Sequence, residues 1–323
     1  MLSDEFRLHL VSTDSQSLTD EIREDFEVFG EAYPNTDPGA FAALHDYLDE
    51  HDPAAVTALI KIPTYGTAAS ILARYHDVPY VHRYPANRFA VYEAASGWRK
   101  PGYFGLCNVF SRVPLELASR HVALGPEGKR HLTDRGVDPD RVSILPPSID
   151  ATRFEREIEP ADVGVPPDRS VVLFVGRDTR MKGFDALSEA IPRVLATRDD
   201  LHFVFVGVDR VPRVPNRYGD HLTAVGRVDP AEMPRYFARA DVFLHPSLSE
   251  GLPRVLGEAL FSHTPVLARD VGEIGSVTDN TFTTNDELVT MLLDFEDLPL
   301  DDPTPLSRSS LRQNYVDFYT KFY

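Results

Sequence analysis

The chain has 323 residues, 42% of them hydrophobic, and a net charge of −17. This length is enough for two domains of ordinary size, and the apolar fraction is that of a globular protein. The acidic balance excludes general binding to nucleic-acid backbones, and no apolar run reaches the ~20 residues of a membrane-spanning helix. Cys107 is the only cysteine, which excludes an internal disulfide and a cysteine-based metal cluster.

The basic residues are unusual in type. Lysine supplies only five of the 33, and aspartate is abundant. This pattern is typical of proteins that stay soluble in high salt, where charges are screened beyond ~3 Å at 1 M. We therefore expect a halophilic, haloarchaeal host; an ordinary acidic cytosolic protein is the alternative. The N-terminus lacks the apolar segment of a signal peptide, which predicts a cytoplasmic location.

The charge is also distributed unevenly along the chain. Residues 1–60 carry two basic and 14 acidic residues, a balance of −12. Residues 61–130 carry ten basic and four acidic residues, a balance of +6. A local reversal of this kind in an acidic chain indicates a surface that meets an anionic partner.

Short apolar runs alternate with helical patterns in both halves of the chain, which predicts an α/β fold with parallel sheets. In the first half, strands are predicted at Phe6–Val11, Ala55–Ile60, Tyr80–His82 and His121–Leu124, and helices at Pro38–Asp49, Gly66–His76 and Glu127–Arg135. In the second half, strands are predicted at Val171–Val175, His202–Val206, Leu222–Val225, Val242–His245 and Val266–Ala268, and helices at Gly183–Ala196 and Pro230–Ala238. A turn and helix follow over Glu250–Glu258.

The rhythm of these elements predicts two doubly wound, Rossmann-like domains that face each other across a cleft. Pro146 and Pro147 lie at the break between them, so we place one domain at 1–147 and the other at 148–306. Residues 307–323 have the pattern of an amphipathic helix. We expect this last helix to pack on the first domain.

Two carboxylates eight residues apart mark the most informative segment. Glu250 lies in a Gly/Pro turn, and Glu258 lies within a helix that Pro253 can begin. The N-terminus of such a helix favours an anion such as a diphosphate, and nearby carboxylates accept hydrogen bonds from sugar hydroxyls. We expect Glu258 to bind ribose hydroxyls and Glu250 to lie near a transferred sugar. The alternative for Glu258 is a solvated helix face.

Two cations follow the apolar strand Val171–Val175. Arg177 comes directly after Gly176, and Lys182 precedes Gly183 and a helix. Cations at the carboxyl end of a strand can hold a diphosphate and neutralise its charge as a sugar leaves. The alternative is that both are solvated cations of a loop.

Residues 142–276 resemble the carboxyl domain of retaining GT-B glycosyltransferases of family four, also called group 1. The shared pattern runs through Leu145–Asp150, Phe174–Arg177, Lys182–Gly183, Gly226–Arg227, Ala240–Ser247, Ser249–Leu260, Thr264–Ala268 and Asp270–Gly272. The first half resembles the family more weakly, at Val78–His82 and Gly136–Val142.

The resemblance implies an enzyme that moves a sugar from a nucleoside diphosphate sugar, most often of UDP or GDP, to an acceptor hydroxyl. It implies retention of anomeric configuration with neither a cofactor nor a catalytic metal. The implied catalytic residues are Arg177, Lys182 and Glu250, and the implied donor-binding residues are Gly176, Gly226, Arg227, Gly251, Leu252 and Glu258. In the same way, the first domain is expected on the acceptor side and the second at the nucleotide sugar.

The chain departs from the family at three places. Ser12–Gln16 replaces the glycine-rich loop after the first strand, Leu252-Pro253 replaces a Phe-Gly pair, and Glu273 replaces a glycine. The first change concerns the acceptor side and the other two concern the donor sugar. A nucleotide-sugar epimerase and a non-catalytic sugar-nucleotide binding protein are the alternative functions.

The acceptor side offers less specific signals. His82 follows a predicted strand and is a candidate sugar contact; a structural histidine is the alternative. The other histidines show no metal-ligand spacing. Residues 83–112 interleave basic and aromatic side chains, a composition that predicts peripheral contact with an anionic membrane and a lipid-linked or other membrane glycan as acceptor. The alternative is an ordinary loop with buried aromatic residues.

Overall fold

The computed structural model of the protein describes residues 2–14, 16, 18–59, 62–86, 99–154 and 158–323. The chain divides into two compact units. One contains Met1–Leu145 and Leu311–Tyr323, and the other contains Pro146–Ser310. Both borders lie within a few residues of the predicted domain limits.

The described residues of the first unit form two parallel sheets. Its strands are β1 (His9–Val11), β2 (Glu27–Phe29), β3 (Val56–Thr57), β4 (Tyr80–Tyr84), β5 (Arg120–Ala123) and β6 (Val142–Ile144). Its helices are α1 (Asp20–Asp25), α2 (Asp37–Glu50), α3 (Thr67–Tyr75), α4 (Arg99–Gly105), α5 (Arg112–Leu117) and α6 (Pro126–Thr133), with π-helical turns at Ile62–Gly66 and Leu106–Phe110. β1 pairs with β2, and β3, β4, β5 and β6 form the second sheet in that order.

Two predicted strands of the first unit are too long. Of the predicted strand Ala55–Ile60, the described residues form a strand only at Val56–Thr57, and the predicted strand Phe6–Val11 begins at His9. Phe6 lies in a turn, where its ring stacks on that of Tyr323 at 5.7 Å.

In the second unit, the described residues form a parallel sheet. Its strand order is β12-β11-β10-β7-β8-β9. The strands are β7 (Ser170–Val175), β8 (Leu201–Val206), β9 (Leu222–Gly226), β10 (Val242–His245), β11 (Val266–Arg269) and β12 (Thr281–Phe282). The helices are α7 (Phe184–Leu195), α8 (Met233–Arg239), α9 (Arg254–Phe261) and α10 (Asn285–Leu293). The five predicted strands are confirmed, and β12 and α10 are additional.

Helices cover both faces of this sheet, which is why its central strands are continuous apolar runs. All six residues of β8 are buried. On one face, Phe203 and Phe205 pack with α7 and α10 through side chains such as Leu187 and Leu288. On the other, α8 contributes Phe237, whose ring meets that of Phe243 edge-on at 5.7 Å.

The last helix, α11 (Arg308–Tyr319), contributes its apolar face to the first unit. Leu311, Tyr315 and Phe318 recur at helical spacing and pack on Val81 and Val122, which lie on one face of the β3–β6 sheet. None of the helices in the described residues is both long and apolar enough to cross a membrane.

Phe318 is 2% exposed, so Phe318→Ala should open a cavity between α11 and the sheet. We expect a loss of about 3–5 kcal/mol in the free energy of unfolding, measured from urea denaturation. Tyr323→Ala is the control, because that side chain is 79% exposed and its loss should cost far less. Equal losses in the two variants would contradict this account of α11.

Candidate functional site

The loops after β7 and β10 leave the second sheet side by side. The strands pair in parallel, with Val242 opposite Val172 and Phe243 opposite Leu173. Their carboxyl ends therefore meet at one edge, where open α/β sheets bind ligands. The loops are also joined directly, because the Leu248 amide donates to the Met181 carbonyl at 2.8 Å.

Gly183 allows the two loops to approach this closely. It has φ +78°, a left-handed conformation that glycine adopts without strain. A Cβ atom at this position would lie 2.2 Å from the carbonyl oxygen of Pro246. The glycine thus places the turn Arg180–Lys182 against the loop after β10.

Lys182, Glu250 and His245 form a contact cluster at this edge. Nζ of Lys182 donates a short hydrogen bond to Oε1 of Glu250. Nε2 of His245 lies 3.3 Å from the same oxygen. The three side chains are 26%, 16% and 2% exposed, so the carboxylate is largely shielded from water and has its partners within the protein.

The electrostatics of the cluster fix its charge state. Burial by itself raises the pKa of Glu250, but the close contacts with His245 and Lys182 outweigh it and lower that pKa to about 2. Burial lowers the pKa of His245, although the Glu250 carboxylate acts to raise it. At neutral pH we therefore assign an ionised Glu250 and a neutral His245 whose Nε2 carries the proton that faces the carboxylate.

Glu258 lies in the second turn of α9, as the sequence predicted. The helix itself begins at Arg254, one residue later than predicted, with Pro253 at its N-cap. Burial raises the pKa of Glu258, and the nearby charges of Arg254 and Arg153 oppose that rise. The side chain is thus a partly buried acid, not the fully solvated one of the alternative interpretation.

The other predicted donor-site residues lie at the same edge of the sheet. Gly176 and Arg177 follow β7, and the Arg177 side chain is exposed. Gly226 ends β9, and its carbonyl accepts from the Gly207 amide at 2.7 Å. Arg227, which follows Gly226, is exposed.

The turn that carries Glu250 is enclosed by the loop after β11. The Glu273 amide donates to the Gly251 carbonyl at 2.9 Å, and Leu252 is buried. Gly272 has φ +62°, and a Cβ there would lie 2.3 Å from the carbonyl oxygen of Glu250. The Asp270-Val271-Gly272 motif therefore fixes the backbone beneath Glu250.

His82 is placed differently from the prediction. It lies in the middle of β4 instead of after it, because the strand continues to Tyr84. The side chain is 3% exposed, and its Nδ1 lies 3.2 Å from Nδ1 of His121. Burial, with His121 beside it, lowers the pKa of His82 to about 3, so the imidazole is neutral. A sugar contact through this residue stays a prediction that the buried position does not favour.

Two features were missed in the sequence. His245 reads as the end of an apolar strand, and its contact with Glu250 crosses a turn. The sequence shows no ligand spacing for His45 and His76, yet one ligand atom of each and one of Asp49 lie within 4.8 Å of one another, a set that could hold a metal ion. The i, i+4 spacing of His45 and Asp49 on α2 was the available signal. This cluster has no role in the function proposed below.

The segment predicted to contact a membrane is only partly described. Residues 87–98, which include Arg88, Phe89, Tyr92 and Trp98, lie outside the described residues. Within α4 and the turn after it, Phe104, Val109 and Phe110 are 48%, 60% and 55% exposed. The two aromatic side chains here are thus exposed, whereas Tyr84 of the same predicted segment is 3% exposed, as the alternative interpretation expects.

Comparisons with known proteins agree with this architecture. Residues 169–294 match the family model described as glycosyl transferases group 1. A putative teichuronic acid biosynthesis glycosyltransferase of Bacillus subtilis is 30% identical over 70% of this chain. A D-inositol 3-phosphate glycosyltransferase of Nocardia farcinica is 32% identical over 49% of it. The matches cover 55% and 39% of those proteins, so the chain spans about half or less of these curated relatives.

Two solved structures show the same fold over nearly the whole chain. Anabaena HepE in complex with UDP has a TM-score of 0.67 at 15% identity and covers 93% of this chain and 88% of its own. WaaG, a glycosyltransferase involved in lipopolysaccharide biosynthesis, has a TM-score of 0.66 at 17% identity. The match covers 98% of this chain and 88% of WaaG. The chain therefore has the GT-B fold, and its residues 169–294 are similar to the group 1 family of glycosyl transferases.

Proposed function

We propose that the protein transfers a glycosyl group from a nucleoside diphosphate sugar to an acceptor hydroxyl. The observation that carries this proposal is the cluster of Lys182, Glu250 and His245 at the carboxyl ends of β7 and β10. A cation and an ionised acid held at this edge suit a diphosphate and a sugar hydroxyl, respectively. The names of the relatives support the reaction, and UDP bound to HepE favours UDP as the nucleotide.

In this proposal Lys182 and Arg177 bind the donor diphosphate. Before a donor binds, the ammonium group of Lys182 forms an ion pair with the Glu250 carboxylate. A diphosphate brings more negative charge than one carboxylate, so it draws the ammonium group and the exposed Arg177 guanidinium toward itself. The same cations then stabilise the charge that develops on the leaving phosphate.

The two acids hold the sugar and the ribose. Glu250 stays ionised, since His245 remains beside its carboxylate when Lys182 turns toward phosphate, and it accepts a hydrogen bond from a hydroxyl of the transferred sugar. Burial disfavours the ionised form of Glu258. Two ribose hydroxyls that donate hydrogen bonds to its carboxylate would stabilise that form. The leaving phosphate oxygen takes the acceptor proton on the same face, so the anomeric configuration is retained.

The acceptor is proposed to be a lipid-linked or other membrane glycan. The basic segment 83–112 and the exposed side chains of Phe104, Val109 and Phe110 support this choice. A segment that combines basic residues with exposed apolar side chains is typical of peripheral contact with anionic lipid. Failure of the chain to bind anionic vesicles at low salt would remove this part of the proposal.

Lys182→Ala tests the catalytic assignment. Loss of one preorganised donor to the phosphate costs about 3–4 kcal/mol of barrier, so turnover should fall by roughly a hundredfold or more. The assay measures release of free nucleoside diphosphate with and without acceptor. Release that needs acceptor also separates a transferase from a binding protein.

Arg180→Ala is the matched control, because Arg180 lies in the same turn and its side chain is 85% exposed. Its turnover should stay near that of the wild type. Near-normal turnover by the Lys182→Ala variant, with an unchanged circular dichroism spectrum, would contradict the assignment.

The donor is identified by thermal unfolding with a panel of UDP-, GDP-, dTDP- and ADP-sugars. A true donor at 100 times its dissociation constant adds ~2.7 kcal/mol to the free energy of unfolding. We expect the largest rise in melting temperature with a UDP-sugar. A GDP-sugar that stabilises more strongly would reassign the base, and no stabilisation by any of them would refute the donor site.

Glu250→Gln tests the charge state of the cluster through stability. The pKa of Glu250 is about 2 in the folded protein against an ordinary value of 4.5, so its ionised form stabilises the fold above pH 4.5. That stabilisation is lost as pH falls through 4.5 toward 2. The difference in unfolding free energy between wild type and variant should be about 2 kcal/mol smaller at pH 3 than at pH 6.

Glu189→Gln is the control, because this carboxylate is 62% exposed and lies on α7, outside the cluster. Urea titrations of the three proteins give the free energies. A difference that does not change between pH 6 and pH 3 would contradict the pairing of Glu250 with Lys182 and His245.

A further inference from the structure

The first unit contains a cavity of about 310 Å³ on the face of the β3–β6 sheet that α5 and α6 cover. Arg135 lies in the loop between α6 and β6, and Arg141 directly precedes β6. The cavity therefore lies at the amino ends of β5 and β6. This edge is opposite the carboxyl ends at which ligands of such sheets usually bind.

Positive charge dominates the walls of the cavity. Three arginines and one glutamate line it, namely Arg112, Arg135, Arg141 and Glu116. This local excess of positive charge stands in a chain with a net charge of −17. Like-charged guanidinium groups around a concave surface repel one another unless an anion lies between them.

Hydrogen bonds to backbone carbonyls hold two of these arginines in place. Arg141 donates through Nη2 to the carbonyl of Ala118 and through Nε to that of Ser119. Arg135 donates through Nη1 to the carbonyl of His131 at 2.9 Å. A guanidinium has five N–H donors in a rigid fork, so these contacts fix both groups, and the printed bonds of Arg141 use only its Nε and Nη2.

His121 forms part of the inner wall and provides an independent indication of a ligand. It is 0% exposed, and its Nε2 has no hydrogen-bond partner among the residues that the structure describes. Burial, reinforced by the charge of Arg141, lowers the pKa of His121 to about 4, so the ring is neutral. If Nδ1 accepts from His82, Nε2 carries the proton and is a donor, which an anion in the cavity would satisfy.

We propose that this cavity binds a small phosphate-bearing ligand whose phosphate lies between Arg112, Arg135 and Arg141 above His121. Guanidinium forks match phosphate oxygens in geometry and charge. The volume corresponds to roughly ten waters, which leaves room for an organic group of about the size of a sugar beside the phosphate. The site does not depend on the proposed transfer reaction, because its residues belong to the first unit and the donor cluster to the second.

Calorimetric titration with inorganic phosphate and with glucose 6-phosphate, at constant ionic strength, tests this site. All proteins carry Lys182→Ala, so that the proposed donor site contributes little. Adding Arg112→Gln should raise the dissociation constant at least about tenfold, the range expected for a hydrogen bond to a charged group. Arg112 is exposed, so its loss should leave the fold intact.

Arg74→Gln is the matched control, since it removes the same charge from the first unit at a side chain 74% exposed and outside the cavity. This control substitution should change the dissociation constant less than twofold. Binding that Arg112→Gln leaves unchanged, or no binding in the Lys182→Ala protein, would overturn the proposal.

Flotation with phosphatidylcholine vesicles, with and without phosphatidylglycerol, separates the sources of phosphate. Vesicle binding that needs Arg112, without binding of either small ligand, would also overturn it.

Discussion

The contact between Lys182 and Glu250 is the constraint on which the candidate site depends. A largely buried carboxylate is unfavourable unless its partners are in place, and here both partners come from positions that the sheet determines. His245 ends β10, and Lys182 ends the turn after β7. The parallel pairing of these strands therefore sets the distance between the charged groups before any ligand binds. A site prepared in this way needs little reorganisation when charge develops during a reaction.

The sequence singled out Glu250, Glu258 and Lys182 because each lies in a recognisable local pattern. Glu250 and Glu258 stand out because a Gly/Pro turn leads into a helix, and Lys182 because it follows a buried strand and precedes a glycine. His245 was not found, because a histidine that ends an apolar strand has no local pattern that links it to an acid five residues later. Contacts across a turn depend on backbone torsions, which composition and periodicity do not reveal.

The fold was predicted unevenly for a similar reason. Central parallel strands such as β8 are covered on both sides, so they read as continuous apolar runs and were located almost to the residue. In the first unit, β2 has three residues within an acidic segment and β3 has two, too few for an alternating pattern. His82 shows the consequence for function. A strand that continues two residues further than predicted turns a proposed surface contact into a buried pair with His121.

The glycines at 183 and 272 have a consequence for how this chain can diversify. Each lies so close to a neighbouring carbonyl that the three loops behave as one interlocked backbone. Evolution or engineering that seeks a new sugar specificity cannot reshape these loops one at a time. Variation is confined to outward side chains such as that of Arg227, so a library at such positions would change ligand contacts and leave the backbone unaltered.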